Sequence, residues 1–430
     1  MLERYFLKPQ TLDRIRGSWL GDSLERYVAW LADQGYRARN VYRRVPLLVQ
    51  FGEFAREHGA TRFEDLSAHV AAFVEARLLS RPHEGRRGAR ALGNEIRGPI
   101  RQFLRLLTPD QAQGSGRGPY CGPPFLRSAP GFFAHLRDER GLRKGSLQQY
   151  GFHLRRLEWY LARIGACELA ALSPAILSAF VADCHLADEA GTSGKRLGRS
   201  SMIGLCCSLR VFLRYLYREG LVARDLSPSI ETPRQYRLAD LPRSISWEEV
   251  RRVLEAVDRR TAVGRRDYAM LLLMVTYGLR GHEVAEMRLD DLNWERERLR
   301  VPERKAGHST AYPLSSVVGE AILDYLQHGR PQSTDRHLFL RVLAPFVPLR
   351  GSSVSNQATR HLCRAGIHVA RPGSHTFRHS CIQRLVDAEL SFKIIGDYVG
   401  HRSPSSTQGY TKIAVETLRE VALGDGEEIA

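Results

Sequence analysis

Apolar positions recur at intervals of three and four along most of the 430 residues, the spacing of helices that bury one face. Two stretches carry this pattern with the same features in the same order. In the first, Tyr27-Val-Ala-Trp-Leu31 precedes a helical segment ending Phe51-Gly-Glu-Phe54. Gly59 breaks it, Leu66-Ser67 and Phe73-Val74 follow, and Ile100-Arg-Gln-Phe-Leu-Arg105 closes the run. In the second, Phe132-Phe-Ala-His-Leu136, Leu157-Glu-Trp-Tyr160, Gly165, Leu172-Ser173, Phe180-Val181 and Leu209-Arg-Val-Phe-Leu-Arg214 occupy the matching places. The pattern predicts two helical modules related by an approximate duplication. Chance likeness between two four-helix bundles is the plainer alternative.

Beyond residue 243 the pattern changes. Ser246, with Glu249 three residues later, forms a capping box that predicts a helix start. An apolar helix over Tyr268 to Tyr277 breaks at Gly278. Leu299-Arg-Val-Pro302 and Ala311-Tyr-Pro-Leu314 read as two short strands about a turn at 304–310, with Leu338-Phe-Leu340 as a third. The remainder, to Gly424, reads as mostly helix. The expected fold is mostly α: N-terminal helical modules, then a mixed α-helical domain with a small antiparallel β-sheet.

Residues 109–124 (PDQAQGSGRGPYCGPP) are rich in glycine, proline and polar residues and read as a linker. Prolines at 228, 233 and 242 mark a second break. The expected division is 1–108, a linker at 109–124, 125–235 and 243–430.

Charge adds a partner to this picture. The formal net charge is +17, which points to a polyanion, because basic groups displace counterions from phosphates. Only six of the 64 basic residues are lysines, so an arginine bias is present, but bias decides which cation is used and not the surplus. The longest apolar run, Tyr268 to Leu279, is too short to span a bilayer, and Met1-Leu2-Glu3-Arg4-Tyr5 has no signal-peptide core. These features lead to the expectation of a cytoplasmic, nucleoid-associated protein with no membrane partner. Seven scattered cysteines with no CxxC suit free thiols and exclude a zinc-ribbon pattern.

The candidate chemistry lies in the last 160 or so residues of the sequence. Tyr277-Gly-Leu-Arg280-Gly-His-Glu283 places Arg280 and Glu283 three apart, on one helical face, where a carboxylate orients a guanidinium. Ser374-His375-Thr-Phe-Arg378-His379 places His375 and Arg378 on one face at a helix start, where free N–H groups suit phosphate oxygens. His375 and His379 have the spacing of a zinc pair, but no general-base Glu lies between them and Arg378 repels a cation. Val399-Gly400-His401 is followed nine residues later by Tyr410. Lys305, at the turn between the predicted strands, is the only lysine between 196 and 392. Taken singly, these are a surface Arg–Glu pair, a structural histidine, a packed C-terminal tyrosine and a solvated turn lysine.

Together and in this order they closely resemble the signature boxes of the tyrosine recombinases, the phage-integrase family. Residues 125–235, with the ending Asp225-Leu-Ser-Pro228, resemble the helical core-binding domain that precedes such catalytic domains. The turn Lys-Ala-Gly-His-Ser-Thr departs from the family's more usual Gly-Lys-Gly-x-Lys. The resemblance implies a site-specific recombinase or integrase that cleaves and rejoins double-stranded DNA through a 3′-phosphotyrosine. In it Tyr410 is the nucleophile, Arg280, Arg378 and His401 hold the phosphate, His375 assists proton removal, Lys305 protonates the leaving oxygen and Glu283 supports Arg280. It implies no cofactor, no metal and a homo-tetramer on paired DNA sites, alone or with other recombinases. Residues 1–108 take the place of an extra arm-type or second core-binding-like DNA-binding module, an architecture that suggests a mobile-element recombinase. The competing readings are a type IB topoisomerase, which shares the nucleophile, and a non-catalytic DNA-binding regulator, against which the complete residue set argues.

Overall fold

The computed structural model describes residues 1–80, 85–107, 122–166, 168–185, 197–234, 244–302 and 309–400. The chain groups into two units, residues 1–107 with 238–430, and residues 108–237. Among the described residues three large apolar cores form within them, with a small fourth cluster of Ile382, Ile395 and Val399.

The first core is built by α1 (Pro9–Arg16), α2 (Gly21–Asp33), α3 (Ala38–Glu57), α4 (Leu66–Leu79) and α5 (Gly85–Leu107). The second is built by α6 (Phe132–Ala134), which runs into one π-helical turn, and by α7 (Lys144–Arg163), α8 (Pro174–His185) and α9 (Arg199–Arg218). The two modules share an order of elements. Both α3 and α7 run for 20 residues and are followed by a glycine of positive φ, Gly59 or Gly165. A 3-10 turn then leads to the next helix, at Phe63–Asp65 in one module and Leu169–Ala171 in the other. The apolar residues at matching sequence positions are the buried ones: Tyr27, Phe51, Phe73 and Phe103, and Phe132, Leu157, Phe180 and Phe212.

The C-terminal domain is organised around a helix apolar on every side. It starts with α10 (Trp247–Glu255), where Glu249 N–H donates to Ser246 Oγ at 3.1 Å and Ser246 N–H to Glu249 Oε2 at 2.9 Å, the expected capping box. The central helix α11 (Ala262–Tyr277) buries six consecutive residues from Met270 to Val275 against its neighbours. α12 (Gly281–Glu286) leads to a three-stranded antiparallel sheet of β1 (Leu292–Asn293), β2 (Arg298–Val301) and β3 (Thr310–Pro313), in that order, with Leu299 opposite Tyr312. Then come α13 (Ser316–His328), α14 (Gly351–Arg364), α15 (Ser374–Asp387) and α16 (Phe392–Val399). Among the described residues no helix is long and apolar enough to cross a membrane.

One element differs from expectation. Leu338–Leu340 is not a strand, and the third strand is Leu292–Asn293. Leu338, Phe339 and Leu340 are all fully buried, so the segment lacks the alternation of a half-exposed strand. Its backbone donors are met singly by other segments instead: Leu338 N–H donates to Met287 O at 2.7 Å and Leu340 N–H to Tyr325 OH at 3.2 Å.

A buried charge network crosses this core. Asp267 Oδ1 accepts from Arg266 Nε at 3.0 Å and Nη2 at 2.7 Å, and Asp267 Oδ2 lies 3.0 Å from His361 Nε2. Arg266 also donates to Leu340 O at 3.2 Å, which ties α11, α14 and the 338–340 segment together.

Candidate active site

The site begins where α11 stops. Gly278 closes that helix with φ of 60°, a left-handed conformation that favours glycine, and a Cβ there would lie 2.9 Å from Val399 Cγ1. Two residues on, Arg280 is the N-cap of α12. Its backbone N–H donates to Glu283 Oε2 at 2.8 Å and its Nη1 to Glu283 Oε1 at 2.7 Å. The Glu283 side chain is only 2% exposed, so a buried carboxylate holds the guanidinium from behind.

Arg378, on the first turns of α15, is itself buried. It donates through Nη1 to Gly278 O and through Nη2 to Val399 O at 2.8 Å, while Arg280 Nη2 donates to Gly400 O at 3.1 Å. The two arginines thus grip consecutive carbonyls at the end of α16, which closes at Gly400 with φ of 65°. The starts of three helices meet here. A Cβ on Gly281 would lie 2.9 Å from Ser374 Oγ, and one on Gly351 would lie 2.9 Å from His282 Cα. This approach brings the N-terminal ends of α12, α14 and α15, with their positive dipole ends, beside the two guanidiniums.

His375 lies one turn before Arg378. Its surroundings hold its pKa below the ordinary value: burial first, then the Arg378 and Arg280 cations and His282, with Glu283 opposing. The residue keeps an exposed side, and solvent screens part of that effect. These surroundings favour the neutral form of the ring. The His379 ring lies 6.2 Å from it, centroid to centroid.

Three tyrosines fasten the sheet to this centre. Tyr277 OH donates to Pro313 O at 3.0 Å and accepts from Ser315 N–H at 2.9 Å. Tyr312 OH donates to Tyr398 O, and Tyr398 OH donates to Thr276 O at 2.9 Å. The rings of Tyr277 and Tyr398 each lie 5.1 Å from that of Tyr312. The hairpin, the end of α11 and the end of α16 are therefore one connected assembly.

Of the residues marked in the sequence, Arg280, Glu283, His375 and Arg378 come together as described. Lys305, His401 and Tyr410 lie outside the described residues. The sequence reading missed the tyrosine ties, although Tyr277 opens the first box and Tyr398 immediately precedes Val399-Gly400-His401. It also missed the carbonyl anchors, which no side-chain motif announces.

Comparison with known proteins places these boxes in context. Residues 243–417 match the model of the phage integrase family, and residues 130–220 match the phage integrase N-terminal SAM-like domain. A Sinorhizobium fredii protein described as an integrase/recombinase, y4rA, is 30% identical over 399 residues, 92% of each chain. The tyrosine recombinase XerD of Mycobacterium tuberculosis is 29% identical over 304 residues, 68% of this chain and 95% of XerD. The fold is similar to that of a lambda integrase tetramer bound to a Holliday junction, with a TM-score of 0.51 and 16% identity over 76% of this chain and 88% of that one.

Proposed function

Because the chain belongs to the phage integrase family of tyrosine recombinases, we propose that it is a site-specific recombinase that exchanges strands between two DNA sites through a covalent phosphotyrosine. The observation that carries this reading is the pair Arg280 and Arg378. One is backed by buried Glu283, both are anchored on the end of α16, and three helix N-termini converge beside them.

A phosphodiester carries one negative charge and gains more in the transition state of its cleavage. Two fixed guanidiniums stabilise that gain without reorganising as it develops. Tyr410 attacks the phosphorus. Its phenolic proton goes to neutral His375, the P–O5′ bond breaks, and Lys305 gives the leaving 5′-oxygen a proton. His401, next to the gripped Gly400 carbonyl, donates a hydrogen bond to a non-bridging oxygen. The product is a 3′-phosphotyrosine and a free 5′-hydroxyl. Attack by the 5′-hydroxyl of a partner strand reverses the steps and joins the exchanged strands. The phosphotyrosine conserves the bond energy, so the reaction needs no nucleotide cofactor. Four copies on two duplexes supply the four cleavages, residues 125–235 grip the core of each site, and residues 1–108 add a further DNA contact.

The test uses duplexes that span the borders of the genetic element carrying this gene, nicked near candidate sites so that cleavage is trapped. A slow-migrating protein–DNA adduct on a denaturing gel is expected with wild type and not with Tyr410→Phe, while both bind DNA. An adduct with both would move the nucleophile elsewhere. Tight binding with no adduct from either would favour a non-catalytic regulator.

A further inference from the structure

The N-terminal module has a polar groove that the proposed chemistry does not use. It lies between α3 and α5, beside α4, with a volume of about 710 Å³. Arg43, Arg44, Arg77, Arg101 and Arg105 line it, against a single acid, Glu95.

This charge is segregated within the module. Residues 1–107 carry 19 basic and 12 acidic side chains, a surplus of seven. Four arginines and no acid lie between Arg37 and Gln50, and α5 has six arginines with Glu95 alone. The acids collect elsewhere, as at Glu53, Glu57, Glu64 and Asp65. On α5, Arg97, Arg101 and Arg105 are four apart and share a face. They span about 12 Å of helix, the axial length of roughly three to four base pairs.

The floor of the groove is fixed. Gln102 Nε2 donates to Tyr36 OH at 2.8 Å, Tyr27 OH donates to Gln102 Oε1 at 3.0 Å, and Arg44 stacks 4.5 Å from the Tyr36 ring centroid. Arg77 donates to Gln50 Oε1 at 2.7 Å, and Arg43 pairs with Glu95 at the rim. Cations from three helices around one groove suit a linear polyanion better than one compact anion.

We infer that this groove holds the phosphate backbone of duplex DNA beyond the segment gripped by residues 125–430. The identity of the polyanion as DNA rests on the recombinase reading above. The contact is to phosphates, so it adds affinity and register but reads no sequence.

The test measures binding of the full chain to a long random-sequence duplex between about 50 and 200 mM salt. Each phosphate contact adds about 0.9 to the slope of log affinity against log salt. Arg43→Ala/Arg101→Ala/Arg105→Ala is expected to lower that slope by about two to three, and the triple lysine counterpart to stay near wild type. Arg101→Glu alone, at an exposed position, guards against misfolding of the triple variant and is expected to lower the slope as well. If wild type binds DNA and the alanine and glutamate variants keep its slope, the groove assignment falls and the recombinase reading stands. If wild type binds no duplex, both fall. If the lysine variant loses as much slope as the alanine variant, phosphate binding by charge is wrong.

Discussion

Glu283→Gln separates a residue that holds Arg280 from one that acts on DNA by itself. The carboxylate is 2% exposed and accepts from both the Arg280 backbone and its guanidinium, at 2.8 and 2.7 Å. Removing one partner of a buried ion pair costs about 3–5 kcal/mol, and glutamine, which keeps one acceptor oxygen, recovers part of it. A net loss of about 2–3 kcal/mol lowers the melting temperature by roughly 4–12 °C in a domain of this size. The guanidinium then loses its fixed position, and loss of one positioned transition-state donor slows reaction by about 100- to 1000-fold. The assay pairs thermal denaturation with single-turnover adduct formation for Glu283→Gln, Arg280→Ala and the double variant. In the Arg280→Ala background a buried carboxylate has lost its cation, so Glu283→Gln is expected to raise the melting temperature there and to slow cleavage no further. Equal slowing in both backgrounds would show that Glu283 acts on the substrate independently of Arg280, and an unchanged melting temperature in the single variant would refute the energetic argument.

Other predictions follow from the same geometry. Asp267→Ala leaves Arg266 buried without its carboxylate and is expected to destabilise the C-terminal domain by about 3–5 kcal/mol in urea denaturation, whereas replacing Arg266, Asp267 and His361 together by apolar residues recovers most of the loss. The depressed pKa of His375 means that the unfolded chain binds this proton first, near pH 6.5. Stability from this group is therefore full above pH 6.5 and declines as pH falls toward the lower folded value, so melting temperatures on the acid side should fall further for wild type than for His375→Gln. Adduct formation should hold its rate down to below pH 6.5 before the ring protonates. Tyr398→Phe removes the donor to Thr276 O and is expected to cost about 1 kcal/mol and to slow adduct formation, and retention of full rate would deny the tyrosine cluster a positioning role.

Much of this architecture could be read from local pattern. The repeated apolar positions of the two helical modules are those that are buried, because three- and four-residue spacing makes one face of a helix and that face has to be covered. The helix stop at Gly278 was equally legible, since it needs positive φ. Leu338–Leu340 was not, because three consecutive apolar residues fit a strand or a fully buried loop equally well. The central helix was read as starting at Tyr268 but starts at Ala262, because Arg266 and Asp267 look like surface residues until His361, far along the chain, is brought beside them. The tyrosine ties and the carbonyl anchors also span long sequence separations, and a linear pattern carries no sign of such partners.

The carbonyl anchors explain why the site is built on two arginines and a glycine-terminated helix. The last carbonyls of any helix lack intrahelical donors, and cations at that end are favoured by its dipole. In α16 those carbonyls, Val399 O and Gly400 O, are met by Arg378 and Arg280. The same two cations that the proposal assigns to the scissile phosphate therefore cap the helix that leads into His401 and Tyr410. The planar fork of arginine can bond a carbonyl at one edge and face a phosphate with another, which the single ammonium of lysine cannot do in fixed geometry. On that proposal one pair of side chains both holds the phosphate and caps α16, so replacing either arginine is expected to weaken phosphate binding and also to free a carbonyl at the end of α16.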